Sequence, residues 1–213
     1  SVRFHSSRTG LDCSCRISPV IGETCGLCHT GRMKQPSTEQ IVIRQETPAD
    51  YRAVFDLVSR AFGNTEHADG DEPYLVGRLR KSGAVIEDLS LVAEVDGQIA
   101  GHILFTEVRA GDTVQLALAP LSVLPVRQNR GIGSLLVNAG HERGKRLGYD
   151  YSIVLGNPGY YSRFGYFPAG RIGLKAPFPV PDGCFLVHPL QGKTPVISAI
   201  VEYANAFFQK DAC

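Results

Sequence analysis

Val123-Leu-Pro-Val-Arg-Gln-Asn-Arg-Gly-Ile-Gly133 is the stretch that decides the fold. It closes a β-rich run and opens a helical one. Glycine lets a backbone turn tightly and lets a bulky anion approach its N–H groups. The first turn of a helix leaves N–H donors unpaired and carries roughly half a positive charge. Arg127 and Arg130 add full charges. Together these features read as a cradle for a pyrophosphate. An ordinary strand–helix connection would account for Gly131 alone. Two glycines flanked by two arginines fit that reading less well.

Two familiar pyrophosphate patterns fail here. A dinucleotide fingerprint needs Gly-x-Gly-x-x-Gly after the first strand of a parallel unit. The third position is Leu136, and the turn lies past the middle of the chain. A P-loop needs Gly-x-x-x-x-Gly-Lys-Ser/Thr. Gly140 to Gly144-Lys145 is one residue short and is followed by Arg146.

Working outward, Ile41 to Glu46 is a short β-rich run. Thr47-Pro-Ala-Asp50 reads as a helix start, with Thr47 as cap, Pro48 at the first position and Asp50 at the third. Val54, Phe55, Leu57, Val58, Ala61 and Phe62 follow at helical spacing, and Gly63 stops them. A second helix is expected from Glu72 to Lys81. Leu89 to Val95 and Gln98 to Val108 read as strands joined by the hairpin pair Asp96-Gly97. Val114 to Leu124 completes a three-strand meander. Beyond the glycine turn, Gly131 to Leu147 is a helix with Gly148 at its stop. Tyr151 to Leu155 is a buried strand, and Pro158 to Phe164 is a short helix ended by Gly165. Residues 166–203 read as one or two strands joined by a Pro-rich loop. The order is mixed α/β, of α+β character, with a meander followed by a strand–helix–strand unit.

Composition narrows the classes. In 213 residues, 43% are hydrophobic and 20% charged, with a net charge of +1, which gives no footprint for nucleic acid or a membrane surface. No apolar run reaches the roughly 18–20 residues of a membrane helix. No secretory h-region opens the chain, so a reducing cytoplasm is the expected setting. Cys13, Cys15, Cys25 and Cys28 could offer four thiolates, but the spacing is not that of a zinc ribbon. Met33 is the only methionine and stands just before the first strand. Residues 1–32 are therefore read as an upstream extension with the natural start at Met33, and no metal is expected. Residues 1–39 are assigned as an N-terminal extension, disordered or non-native, and residues 40–213 as the folded domain.

The glycine turn resembles one family. Gln128-Asn-Arg-Gly-Ile-Gly133 matches the Gln/Arg-x-x-Gly-x-Gly/Ala signature of the GNAT superfamily of N-acetyltransferases. Leu121-Ser-Val-Leu-Pro125 is similar to the end of that family's splayed fourth strand. Tyr160-Tyr-Ser-Arg-Phe-Gly-Tyr166 resembles its Tyr-x-x-x-Gly-Phe element. Gly-His-Ile-Leu-Phe105, Leu-Ala-Pro-Leu-Ser-Val123 and Gly-Asn-Pro-Gly-Tyr-Tyr161 are similar to a bacterial branch of predicted acetyltransferases. The likeness covers residues 40–170, and more loosely extends to Phe207.

The resemblance implies a central, mostly antiparallel sheet of six to seven strands, splayed at the cofactor site and flanked by about four helices. It implies acetyl-CoA as co-substrate and direct transfer of its acetyl group to an amine. Gln128, Arg130, Gly131 and Gly133, with Arg127 and Ser134, would hold the pyrophosphate. The backbone N–H groups of Leu121 and Val123 would bind the pantetheine arm and polarise the carbonyl. Tyr161 would be the general acid, favoured over Tyr160 by motif register. Asn157 would touch the cofactor, although a capping asparagine before Pro158 fits its position equally well.

The general base is missing from the pattern. Val114 to Leu124 holds no carboxylate. His102 and Glu107 lie five residues apart on one strand and so face opposite sides of it. A water chain without a dedicated base stays open. The acidic loop Glu66, Asp69, Asp71, Glu72 could attract a cationic amine or simply be solvated. The acceptor amine, small molecule or protein, is not named by the sequence, and a monomer or homodimer is expected. Two other readings remain: a non-catalytic CoA-binding regulatory module of the same fold, and a zinc-dependent interaction protein centred on residues 13–28.

Overall fold

A computed structural model describes residues 40–63, 70–193 and 196–209. The cysteine cluster, Met33, the assigned extension, Glu66 and Asp69 lie outside the described residues. In order, the elements are β1 (Ile41–Gln45), α1 (Tyr51–Phe62), α2 (Glu72–Lys81), β2 (Leu91–Val95), β3 (Gln98–Ala110) and β4 (Thr113–Val123). Then come α3 (Ile132–Arg146), β5 (Tyr151–Leu155), α4 (Pro158–Tyr161), β6 (Phe167–Pro168), β7 (Leu174–Lys175), β8 (Phe185–Pro189) and β9 (Ala199–Glu202).

The strands line up as β1-β2-β3-β4-β5-β8-β6, with β9 beside β3 and β7 beside β9. Pairing along this path is antiparallel except between β4 and β5, which α3 joins as a crossover. Asp96 and Gly97 have φ of 51° and 79°, the left-handed pair that a two-residue hairpin needs. Among the described residues the tail beyond residue 166 holds four strands rather than one or two. Two of them are only two residues long, too short for any periodicity to register.

The expected cap is in place, with Thr47 at the N-cap, Pro48 at the start and Asp50 third in a capping box. Pro48–Asp50 is a separate 3-10 turn before α1. The Asp50 carboxylate accepts bonds from Thr47 N and Oγ1, both at 2.8 Å, and pairs with Arg44 at 2.7 Å. Asp50 is therefore a tether between β1 and α1 rather than a partner for the helix dipole alone.

Two apolar layers sandwich the sheet. On one face α3 covers Ile103, Phe105, Leu116 and Leu118. A Cβ on Gly140 would collide with the Phe105 ring, so this glycine sets how closely helix and sheet approach. On the other face α1 and α2 bring Val54, Leu57, Val58 and Val76 onto Val92, and Leu79 onto Leu104. Each of these side chains contributes about 1.5–3 kcal/mol on burial. The helical faces and the alternating strand faces thus fix which side of β3 and β4 each residue meets.

Candidate active site

β4 and β5 pair over two positions only, Leu116 with Ser152 and Ala117 with Ile153. Past them the strands part. β4 stays with β3 as far as Val123, and β5 stays with β8 as far as Leu155. A bulge marks the parting. Ile103 faces Leu121 and Phe105 faces Leu118, so Ala119 and Pro120 together oppose Leu104. Such an extra residue bends the strand and increases its twist. Pro120, joined to Ala119 by a cis peptide, also has no N–H to give.

The ladder's alternation sets what the parted edge presents. Leu124 N donates to Ala100 O at 2.9 Å. Bonded pairs alternate along an antiparallel ladder, so His102 and Ser122 form the next one. The N–H groups of Leu121 and Val123 therefore turn away from β3 toward the gap. The Val123 carbonyl, on the same side, accepts from Gln128 Nε2 at 3.2 Å.

α3 starts at one wall of this gap. Gly131 stands at its N-cap with φ 83°, and Asn129 before it has φ 61°. The first helical bond runs from Leu135 N to Gly131 O, and no side chain caps the start. The N–H groups of Ile132, Gly133 and Ser134 are left without helical partners, as at any helix start. These three residues line a cavity of about 550 Å³. Its other walls are Leu121 and Val123, then Arg127, Gln128, Asn129 and Gly131, and across from them Asn157, Tyr160, Tyr161 and Arg163. Two arginines and no carboxylate make the described lining positive.

Every site residue singled out in the sequence lines this cavity except Arg130. Arg130 is exposed in the same turn and stands outside the lining. Asn157 lines it while its Oδ1 accepts from Gly159 N at 2.7 Å, so the capping role is also filled. Asn129, Ile132 and Arg163 were not singled out. The motif register hides Arg163. It sits three residues after Tyr160 and lays its guanidinium 4.6 Å over that ring.

The two tyrosines have different surroundings. Tyr160 places its hydroxyl against Gly133, where a Cβ would collide with it. Tyr161 is 9% exposed and packs edge-on to Tyr160 and Tyr166. Burial, with Tyr160 adding, pushes the Tyr161 phenol above its ordinary range, so it carries its proton at neutral pH. Behind it, the Tyr166 hydroxyl bonds Ser152 Oγ at 2.6 Å and His141 Nε2 at 3.0 Å. His141 stacks on His188 at 4.4 Å. Burial and the neighbouring His188 pull His141 down to about 3, so it is neutral in the working range.

The carboxylate candidates fall elsewhere. Glu107 lies opposite Leu116, where β4 is still paired with β5, and is exposed. It accepts a bond from Tyr149 Oη at 2.5 Å. Asp71 pairs with Arg78, which is itself buried. His102 is fully buried on the α1–α2 face, as far from Glu107's side as the strand allows. Among the described residues, no group of His, Cys, Asp or Glu is placed to hold a metal ion, and no helix is long and apolar enough to cross a membrane.

The model of the Acetyltransferase (GNAT) family matches residues 51–166. The chain belongs to the acetyltransferase (GNAT) family. Acyl transfer is therefore its class of activity, and its fold is the mixed α/β fold of that family. The uncharacterized N-acetyltransferase YjhQ of Escherichia coli is 32% identical over 165 residues, covering 74% of this chain and 88% of that protein. A crystal structure of the GNAT protein YhbS from Escherichia coli, in complex with CoA, superposes with a TM-score of 0.72 at 29% identity. It covers 84% of this chain and 98% of that one. A Brucella melitensis GNAT acetyltransferase solved with acetyl-CoA gives 0.66 at 32% identity, covering 79% of this chain and 99% of that one.

Proposed function

We propose that this chain transfers the acetyl group of acetyl-CoA to a primary amine by direct attack. One observation carries the reading: the parted β4–β5 edge opens into the positive cavity at the start of α3. The match to relatives solved with CoA and acetyl-CoA supports the choice of co-substrate. Acetyl-CoA supplies an activated thioester carbonyl and a thiolate leaving group.

The fit rests on donors that are open in the protein. The free N–H groups of Ile132, Gly133 and Ser134 suit a pyrophosphate, with Arg127 adding charge and Gln128 fixing the turn to Val123. Arg130, exposed in that turn, would act on the phosphates from outside the wall. The N–H groups of Leu121 and Val123 point into the gap, where they would bind the pantetheine arm and stabilise charge on the carbonyl oxygen. Tyr161, buried and protonated, would hand its proton to the departing sulfur. Tyr160, pinned between Arg163 and Gly133, would shape the channel rather than donate.

The proposal divides the chain as 1–39, an extension, and 40–213, the catalytic domain. A substrate panel tests the function. Purified protein with acetyl-CoA should release thiol when given at least one of benzylamine, spermidine or an alanyl peptide. Binding of acetyl-CoA, seen as a raised melting temperature, without thiol release on any amine would favour a non-catalytic module instead.

A further inference from the structure

β4 holds no carboxylate, but on the α1–α2 face of the sheet two buried polar side chains stand opposite one another. His102 is fully buried, and its Nδ1 finds no partner among the described residues. Its register partner across the ladder is Ser122, which is 2% exposed and whose Oγ is likewise unpartnered. Residues directly opposite on one sheet face hold their Cβ atoms about 4.5–5.5 Å apart, which leaves room for a direct bond or one bridging water. Ser122 stands between Leu121 and Val123, the two residues that wall the cavity. Two orphaned polar atoms side by side in an apolar layer are costly unless something joins them.

The other side of the His102 ring is occupied. Nε2 lies 3.5 Å from Ser90 Oγ and 3.6 Å from Glu46 Oε2. Ser90 Oγ donates to Glu46 Oε2 at 2.5 Å, and Arg80 pairs with Glu46 Oε1. Burial raises the Glu46 carboxyl, but His102, Ser90 and Arg80 outweigh it and hold Glu46 ionised. Glu46, Ser90 and Arg80 line a second cavity of about 530 Å³ at the end of β1. The β2 neighbour of His102 is Val92, and α1 covers that neighbour with Val54, Leu57 and Val58. Arg44 stands on the same face one strand further out, opposite Val92, and is held by Asp50 and Glu94.

We infer that Ser122, His102 and Glu46 form a proton relay that takes the acceptor amine's proton from the parted edge of β4 to the second cavity. The inference rests on the proposed acetyl transfer and supplies its base. As the amine nitrogen bonds to the acetyl carbon and the carbon–sulfur bond breaks, the nitrogen holds one surplus proton. That proton passes through the Ser122 hydroxyl, or a water beside it, to His102 Nδ1. The proton on Nε2 passes through Ser90 Oγ to Glu46 and on to solvent. The sulfur takes its proton from Tyr161, which regains one from solvent as the relay delivers one there, so amine and thioester become amide and thiol with charge balanced. The route lies on the α1–α2 face, opposite the cavity that takes the co-substrate, so acid and base act from different sides of the sheet.

The test uses the full chain, acetyl-CoA and whichever amine of the panel the protein accepts. His102→Gln should lower kcat/KM by about 100-fold or more at pH 7, the usual weight of a general base. The deficit should shrink as pH rises toward the amine's own ionisation. Ser122→Ala should show a weaker form of the same pH dependence, because water can replace the hydroxyl. Both variants should keep the melting-temperature rise that acetyl-CoA gives the parent. A crystal structure should show a direct bond or one ordered water joining His102 Nδ1 and Ser122 Oγ. An equal loss at every pH, or a dry gap between those atoms, overturns the relay and leaves acetyl transfer standing. No thiol release by the parent on any amine removes the transfer and the relay together.

Discussion

Residues 113–118 and 119–123 belong to one strand and meet opposite fates. The first half of β4 has β3 on one side and β5 on the other, and Leu116, Ala117 and Leu118 are core. The second half keeps β3 but loses β5, and its free edge faces the cavity. The two halves have similar apolar composition. The bulge at Ala119–Pro120 separates them by bending the strand out of the parallel pair. A backbone polar group in the first half is used for stability, whereas in the second half it is available to a ligand.

Substitutions should therefore divide cleanly by half. The largest effect is expected at the cavity: Tyr161→Phe should lower turnover about 100- to 10,000-fold with little change in acetyl-CoA affinity. Steady-state kinetics with acetyl-CoA varied would check this, and unchanged turnover would remove Tyr161 from the mechanism. Next, Leu116→Ala in the paired half should cost about 2–5 kcal/mol of stability, because Leu116 is fully buried beside Gly144. Chemical denaturation gives that number, and the folded fraction should retain its turnover.

Buried His141 and half-buried His188, behind Tyr161, give a pH signature of intermediate size. The folded protein keeps His141 neutral down to about pH 3, while the unfolded chain takes up a proton from about pH 6.5 downward. The unfolded state thus binds more protons between those limits, and stability is lost as pH falls through that window. The melting temperature should drop on acidification below pH 6.5, by an amount worth on the order of a few kcal/mol. His141→Gln should reduce this slope, with the remainder due to His188 and, in the more acid part of the window, to the ion-paired Glu46 and Asp50. A slope unchanged by the substitution would contradict the assignment.

The smallest effect sharpens the contrast most. Gly133→Ala suits the helix, where alanine is favoured by about 1 kcal/mol. Its Cβ would nevertheless displace the Tyr160 hydroxyl from the cavity wall. Stability should hold or rise slightly while acetyl-CoA binding weakens by about tenfold, or about 1.4 kcal/mol. Isothermal titration and thermal melting on the same sample separate the two quantities.

Much of the fold was legible because its signals are local. Asp96-Gly97 marks a hairpin by its own backbone preferences, and Gly131 marks a helix start by its positive φ. The apolar spacing of residues 54–62 marks a buried helix face. Residues 166–203 were less legible, because strands of two residues carry no period. At the cavity, the Gln128–Gly133 turn and Tyr161 announce themselves by spacing. Glu46 does not, since it reaches His102 from the end of another strand, 56 positions away in the chain.

The sequence by itself determined the glycine turn, the order of the elements as far as Gly165 and the family they point to. Each follows from contacts within a few residues, where backbone geometry and side-chain type suffice. Only the tertiary structure decided that β4 parts from β5 after Ala117, that Arg130 stands outside the wall, and that Ser122, His102 and Glu46 share one face of the sheet. Those outcomes depend on strand register and on which helix covers which face. Such long-range pairings are settled by packing the whole core, and no short stretch of sequence contains them.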